Sequence, residues 1–219
     1  ARSNTKVVRS GSGEKFSDRA KRIPITFGLT AICVIVALWT FLGTNRQRTD
    51  VLTFASARNY ANENWNPAVI DDAMTDIKSG QVWRLVTPAI VHFGPLHLLF
   101  NLMWLNQLGS QVETRKGWII YSMLLLALAV FSNFVEVAVS HYPANFGGMS
   151  GVVYGLFGFV WIKSRFDPAD RFFIHPSTVR LMLIWFAICF IPGMNIANGA
   201  HAGGLVLGMV LGYGSSQLK

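Results

Sequence analysis

The chain has 219 residues, is 52% hydrophobic and only 14% charged, and carries a formal net charge of +8. A soluble domain carries about 25% charged residues, so the composition argues against an ordinary soluble fold. The positive charge invites a nucleic-acid reading, but its placement along the chain, set out below, excludes one.

Residues 1–22 are rich in Ser, Gly, Lys and Arg and poor in apolar residues. We expect a disordered basic tail or linker there, ahead of a core over 23–219. The chain begins at Ala1, not Met, which fits a processed or excised piece that a domain once preceded. The apolar block that follows is too long for a signal peptide, and no small-residue cleavage site closes it.

Six apolar blocks follow, at roughly 24–43, 96–113, 117–138, 150–165, 178–194 and 199–216. Each is near the ~20 residues that a bilayer-spanning helix needs. The expected fold is therefore an all-α polytopic membrane bundle of six transmembrane helices. The segment between the first two blocks, about 44–95, mixes charge, Pro and aromatics, including Tyr60, Trp65, Trp83 and Phe93. It suits a long loop lying partly in the membrane interface. Cys33 and Cys189 fall inside apolar blocks and read as buried free thiols.

Lys and Arg set the orientation. Those of the tail, Arg115 and Lys116 after the second block, Lys163, Arg165, Arg171 and Arg180 after the fourth, and Lys219 all fall on one side. The other side holds Arg46, Arg48, Arg58, Lys78 and Arg84, offset by Asp50, Glu63, Asp71, Asp72 and Asp76. The positive-inside rule then puts both termini in the cytoplasm. It also accounts for the basic balance as topology, with no nucleic-acid partner.

Under this topology the second, fourth and sixth blocks enter from the outer side, each with polar residues near its start. Counting inward from the charged ends puts Ser150, Asn101 and His201 at about 18–20 Å from the inner ends of their helices. All three then lie at one level, about 10 Å below the outer surface of a ~30 Å hydrocarbon core. Glycines recurring at four-residue spacing (Gly151, Gly155 and Gly158 in one helix, Gly199, Gly203, Gly204, Gly208 and Gly212 in the other) let two helix backbones approach closely. Such packing would bring His201 to Ser150. A serine that opens a helix beside a histidine suits an activated nucleophile and its base, and the helix's free N–H groups suit a developing oxyanion. His97 and Asn101 share a helix face at i, i+4 and could add donors. No HExxH run occurs and no carboxylate lies mid-span near these residues, so neither a metal site nor a membrane-embedded Ser-His-Asp triad is expected. A Ser-His dyad without cofactor is the economical reading.

Trp83-Arg84, His92, the HLLFN run with His97 and Asn101, GMSG at 148–151 and AHAGG at 200–204, in this order, resemble the rhomboid family of intramembrane serine proteases. The match covers about residues 24–216, and the pattern is closest to the bacterial six-helix type. The resemblance implies Ser150 as nucleophile and His201 as general base and then acid. It implies an oxyanion hole of His97, Asn101 and the Ser150 amide, with Tyr154 stacked on His201. Gly151, Gly204, His92, Trp83, Arg84 and Glu113 would support the site, Trp83 and Arg84 by shaping the first loop and Glu113 by bracing the inner end of the second span. It further implies transmembrane protein substrates, a bacterial inner membrane and an active site open to the outer side. Span five, with Trp185, Phe186 and Phe190, and the loop from Pro192 to Asn198 would form a lateral gate. The competing readings are a catalytically silent helix-binding relative and a small channel or transporter. Oligomeric state is not readable from the sequence.

Overall fold

A computed structural model describes residues 16–56, 68–140, 146–194 and 196–217. All regular structure among these residues is helical: α1 (Phe16–Arg22), α2 (Pro24–Trp39), α3 (Arg46–Asp50), α4 (Ala68–Lys78), α5 (Pro95–Trp104), α6 (Ser110–Val139), α7 (Ser150–Phe166), α8 (Pro176–Ile188) and α9 (Asn198–Gln217), with short 3-10 turns between. Tyr60 and Trp65, expected as interfacial anchors, lie outside the described residues.

Two expectations need correction. The last residues of the supposed disordered tail, Phe16–Arg22, form a helix. Asp18 in its first turn and Arg19, Lys21 and Arg22 in its last complement the helix dipole, and Ile23 N–H continues onto the Arg19 carbonyl at 3.1 Å. The segment before α5 is likewise more than a loop. It holds α3, α4 and two 3-10 turns, Val82–Leu85 and Thr87–Ile90, and closes a small core of its own from Phe54, Ala55, Ala73 and Ile77 with Val137 and Phe146. Arg84, nearly fully buried, donates to the carbonyls of Asp50 at 2.6 Å and Thr53 at 2.7 Å. Asn133 on α6 donates to the Leu85 carbonyl at 2.9 Å and ties this segment to the bundle.

From Pro95 the chain runs helically to Val139, 45 residues in all, through a π-helical turn at Leu105–Gly109. This stretch is long and apolar enough to cross a membrane, and Pro24–Trp39 and Pro176–Ile188 are shorter apolar helices. Gly117 interrupts α6 with φ 80 and ψ 164, a conformation that L side chains rarely adopt. The break leaves roughly 22 residues on either side, each about 33 Å at the helical rise, so one long run becomes two rods of bilayer length.

At the centre is α7, buried on all sides from Gly151 to Val160. A helix without a polar face belongs in an interior. Outward, Ile35 and Leu38 of α2, Leu96 and Leu99 of α5, and Val206 and Val210 of α9 are exposed. Large apolar side chains on the outer faces of several helices suit a lipid surround. Charge collects at the end of α7 away from Ser150. Lys163 is fully buried and pairs with Asp167 and Asp170 at 2.6 Å each, and Asp170 also pairs with Lys116. Cys33 and Cys189 are buried free thiols.

Candidate active site

Ser150 is the first residue of α7, and His201 lies in the first turn of α9. Their contact follows from how the two helices cross. A Cβ added to Gly204 would fall on the carbonyl oxygen of Gly151, and one added to Gly208 on that of Gly155. The backbones touch at these glycines, which no other residue would permit. Gly151 follows Ser150 directly, and Gly204 lies one turn after His201. The crossing therefore brings the two side chains together: His201 Nε2 is 2.8 Å from Ser150 Oγ.

The imidazole is held from below. The Tyr154 ring, one turn along α7, packs against it at a centroid distance of 4.8 Å. Tyr154 is itself fixed by its hydroxyl, which donates to the Met182 carbonyl on α8 at 3.2 Å, and by the edge of Phe186 at 5.4 Å. His201 is only 4% exposed.

The segment leading into Ser150 is pinned at two points. Gly148 N–H donates to the Pro88 carbonyl at 2.9 Å, and Met149 N–H reaches His92 Nε2 at 3.4 Å. Gly148 has φ 119, and a Cβ there would sit 2.5 Å from His97 Nε2. His97 thus lies directly against the backbone two residues before Ser150. Hydrogen bonding assigns the ring protons. His97 Nδ1 accepts from Phe93 N–H at 3.2 Å, so the neutral ring carries its proton on Nε2, facing this segment. His92 Nδ1 is 3.2 Å from the Ile90 carbonyl and must donate to it, which leaves Nε2 to accept from Met149. Burial, reinforced by the nearby His97, pushes His92 down to about 4, in keeping with a neutral ring.

Asn101 sits one turn after His97, buried, and donates to the His97 carbonyl at 2.8 Å. One of its amide protons is thereby committed to its own helix. The remaining expected residues lie away from the Ser150–His201 pair. Trp83 is exposed and donates from Nε1 to the Val51 carbonyl at 3.1 Å. Glu113 caps α2, accepting from Ile25 N–H at 2.7 Å and Thr26 N–H at 2.8 Å.

One residue without an assigned role in the sequence proves to bear on the site. Glu136 of α6, 5% exposed, accepts from Ala200 N–H at 2.9 Å, and also from Gly199 N–H and Ser140. It caps the first turn of α9, the turn that carries His201. The signal in the sequence was an acid inside an apolar run, since a buried helix start needs acceptors for its free N–H groups.

With Ser150 at a helix N-terminus, His201 on its Oγ and the His97 Nε2–H beside the approach, the arrangement has the parts of an acyl-transfer site. Comparison with known proteins points the same way. The Rhomboid domain model matches residues 79–218. Rhomboid protease GlpG of Yersinia pseudotuberculosis serotype I (strain IP32953) is 39% identical over 135 residues, covering 61% of this chain and 48% of that protein. Its counterpart from Yersinia pestis (strain Pestoides F) matches to the same extent. Rhomboid protease GlpG of Enterobacter sp. (strain 638) is 34% identical over 199 residues, covering 89% of this chain and 64% of that protein. The chain spans about half the length of the two Yersinia relatives. The family model covers well over half of the chain, and the chain belongs to the rhomboid family.

Proposed function

We propose that the chain is an intramembrane serine endopeptidase that hydrolyses peptide bonds in or near the transmembrane segments of other proteins. The 2.8 Å contact between His201 Nε2 and Ser150 Oγ carries this reading. In the first step Ser150 Oγ attacks the scissile carbonyl carbon while His201 Nε2 takes the hydroxyl proton. The carbonyl oxygen becomes an oxyanion, stabilised by the free N–H groups at the start of α7 and by His97 Nε2–H, with Asn101 as a further donor. The intermediate collapses to an acyl-enzyme, and His201 returns the proton to the leaving amine. Water, deprotonated by His201, then releases the acyl group and restores Ser150.

The reading extends to topology. Six spans are proposed: α2, the two rods either side of Gly117, α7, α8 and α9. Lys and Arg bias puts both termini in the cytoplasm of a bacterial inner membrane, with the Ser150 end of α7 toward the outer side. There water reaches the site through a polar recess, which makes buried polar groups tolerable. Helix α8, touching Tyr154 through Phe186, is the element whose movement would admit a substrate helix from the side. Neither the silent helix-binding reading nor the channel reading has an observation in its favour. The test is cleavage of a membrane-embedded reporter helix in proteoliposomes. Cleavage by the wild-type chain, lost in Ser150→Ala and in His201→Ala, is expected. Retained cleavage in either variant overturns the assignment.

A further inference from the structure

Two buried polar atoms of the first turn of α9 have no hydrogen-bond partner among the described residues: His201 Nδ1 and Asn198 Oδ1. The residues are spaced i, i+3, so they share a helix face. The orientation of the Asn198 amide is fixed, because its Nδ2 donates to the Cys189 carbonyl at the end of α8 at 2.8 Å. Oδ1 is therefore an acceptor without a donor. The His201 ring supplies the converse. If Nε2 is to accept the Ser150 proton, the neutral imidazole carries its own proton on Nδ1. That makes Nδ1 a donor without an acceptor. A buried polar group left unpaired keeps the full cost of its desolvation.

We propose that a single bound water joins them, accepting from His201 Nδ1–H and donating to Asn198 Oδ1, and that Asn198 is thereby a positioning residue for His201. A buried water typically needs two to four polar partners, and these two atoms provide one of each kind. The bridge holds the imidazole in the tautomer that leaves Nε2 free to act as base. It also places an acceptor at Nδ1–H when the Ser150 proton arrives at Nε2 and the ring becomes positively charged. A carboxylate does this in a catalytic triad; here a neutral amide and a water would serve. The inference rests on the protease reading above.

The test compares Asn198→Ala with Asn198→Asp in the full chain, by the kinetics of a fluorophosphonate probe that modifies Ser150. Asn198→Asp keeps the acceptor and loses the donor to Cys189; Asn198→Ala loses both. The maximal labelling rate is expected to fall about 10–100-fold in Asn198→Ala, the range seen when the partner that orients a metal-bound histidine is removed. Probe affinity should stay unchanged, and Asn198→Asp should remain near the wild type. Equal slowing in both variants would mean that the amide only ties α9 to α8, and wild-type labelling of Asn198→Ala would mean that it does nothing; either overturns the proposal. Labelling that persists in Ser150→Ala overturns the protease reading itself, which keeps the two failures distinct. Should Asn198→Ala not fold, a high-resolution crystal structure of the wild-type chain decides. A water within about 2.6–3.2 Å of both atoms is expected, and any other partner on Nδ1 refutes the bridge.

Discussion

The carboxylate of Glu136 accepts from the backbone N–H of Ala200 at 2.9 Å, one residue before His201. A side chain on α6 thus anchors the turn of α9 that presents the base. Losing a helix cap costs about 0.5–2 kcal/mol. Glu136→Ala is expected to lower thermal stability by that order and to slow labelling of Ser150, because the first turn of α9 frays. Glu136→Gln keeps an acceptor and should fall between. Thermal unfolding and probe kinetics on the same preparations check this; equal behaviour of the two variants would contradict it.

The glycines at the α7–α9 crossing give a sharper expectation. Gly204→Ala sets a methyl group against the Gly151 carbonyl oxygen, which is backbone and cannot step aside. Overpacking costs about 1–3 kcal/mol even where side chains can adjust, so destabilisation at or above that range is expected. Ser150 and His201 should separate as the helices part, and activity should be lost. Gly214→Ala, with open space around it, serves as the neutral control. Gly148→Ala should be as damaging to activity as Gly204→Ala, since it combines φ 119 with a contact on His97 Nε2.

His97 is expected to matter through its Nε2–H. Removing one oxyanion donor typically costs about 10²–10³ in turnover. His97→Ala should fall in that range, and Asn101→Ala should cost less, because its amide already serves the His97 carbonyl. Single-turnover cleavage of a reporter helix measures both. A larger loss in Asn101→Ala than in His97→Ala would reverse the order of importance drawn here.

His92 gives a pH dependence. Its folded value is pushed down to about 4, chiefly by burial, from about 6.5 in an unfolded chain. The unfolded state binds more protons between those values, so stability rises with pH across that window. The contribution is present above about pH 6.5 and lost as pH falls toward 4. The unfolding temperature should drop over this range and drop less steeply in His92→Gln. Identical slopes would show that His92 is not the responsible group.

Much of the site was legible because its chemistry is written in residue types at fixed spacing. Ser150 before a glycine, His201 before Gly204, and His97 with Asn101 at i, i+4 all announce themselves. Helix edges were legible because apolar runs end at charges, Pro or Gly; the observed bounds of α7, α8 and α9 lie within a few residues of the expected ones, apart from the end of α8, which stops at Ile188. The cap of Glu136 was not legible, because it depends on the relative height of two helices 64 residues apart in sequence. The two ring protons of His92 and His97 were hidden for the same reason: each is fixed by a backbone group of the bent segment around Phe93. Helix α1 and the small core under the first loop were missed because charge and loop-forming residues masked short amphipathic stretches. That the Glu113 carboxylate accepts from the start of α2 was not legible either, because it depends on how two helices far apart in sequence meet.

The central claim is that Ser150 is a nucleophile activated by His201. Its most direct measurement is intact-mass detection of a fluorophosphonate adduct on the purified chain, with peptide mapping of the modified residue. One adduct on Ser150, absent in Ser150→Ala and slowed by roughly 10⁴-fold or more in His201→Ala, is the expected result. An adduct that persists in Ser150→Ala, or labelling of Ser150 that is indifferent to His201, would contradict the account.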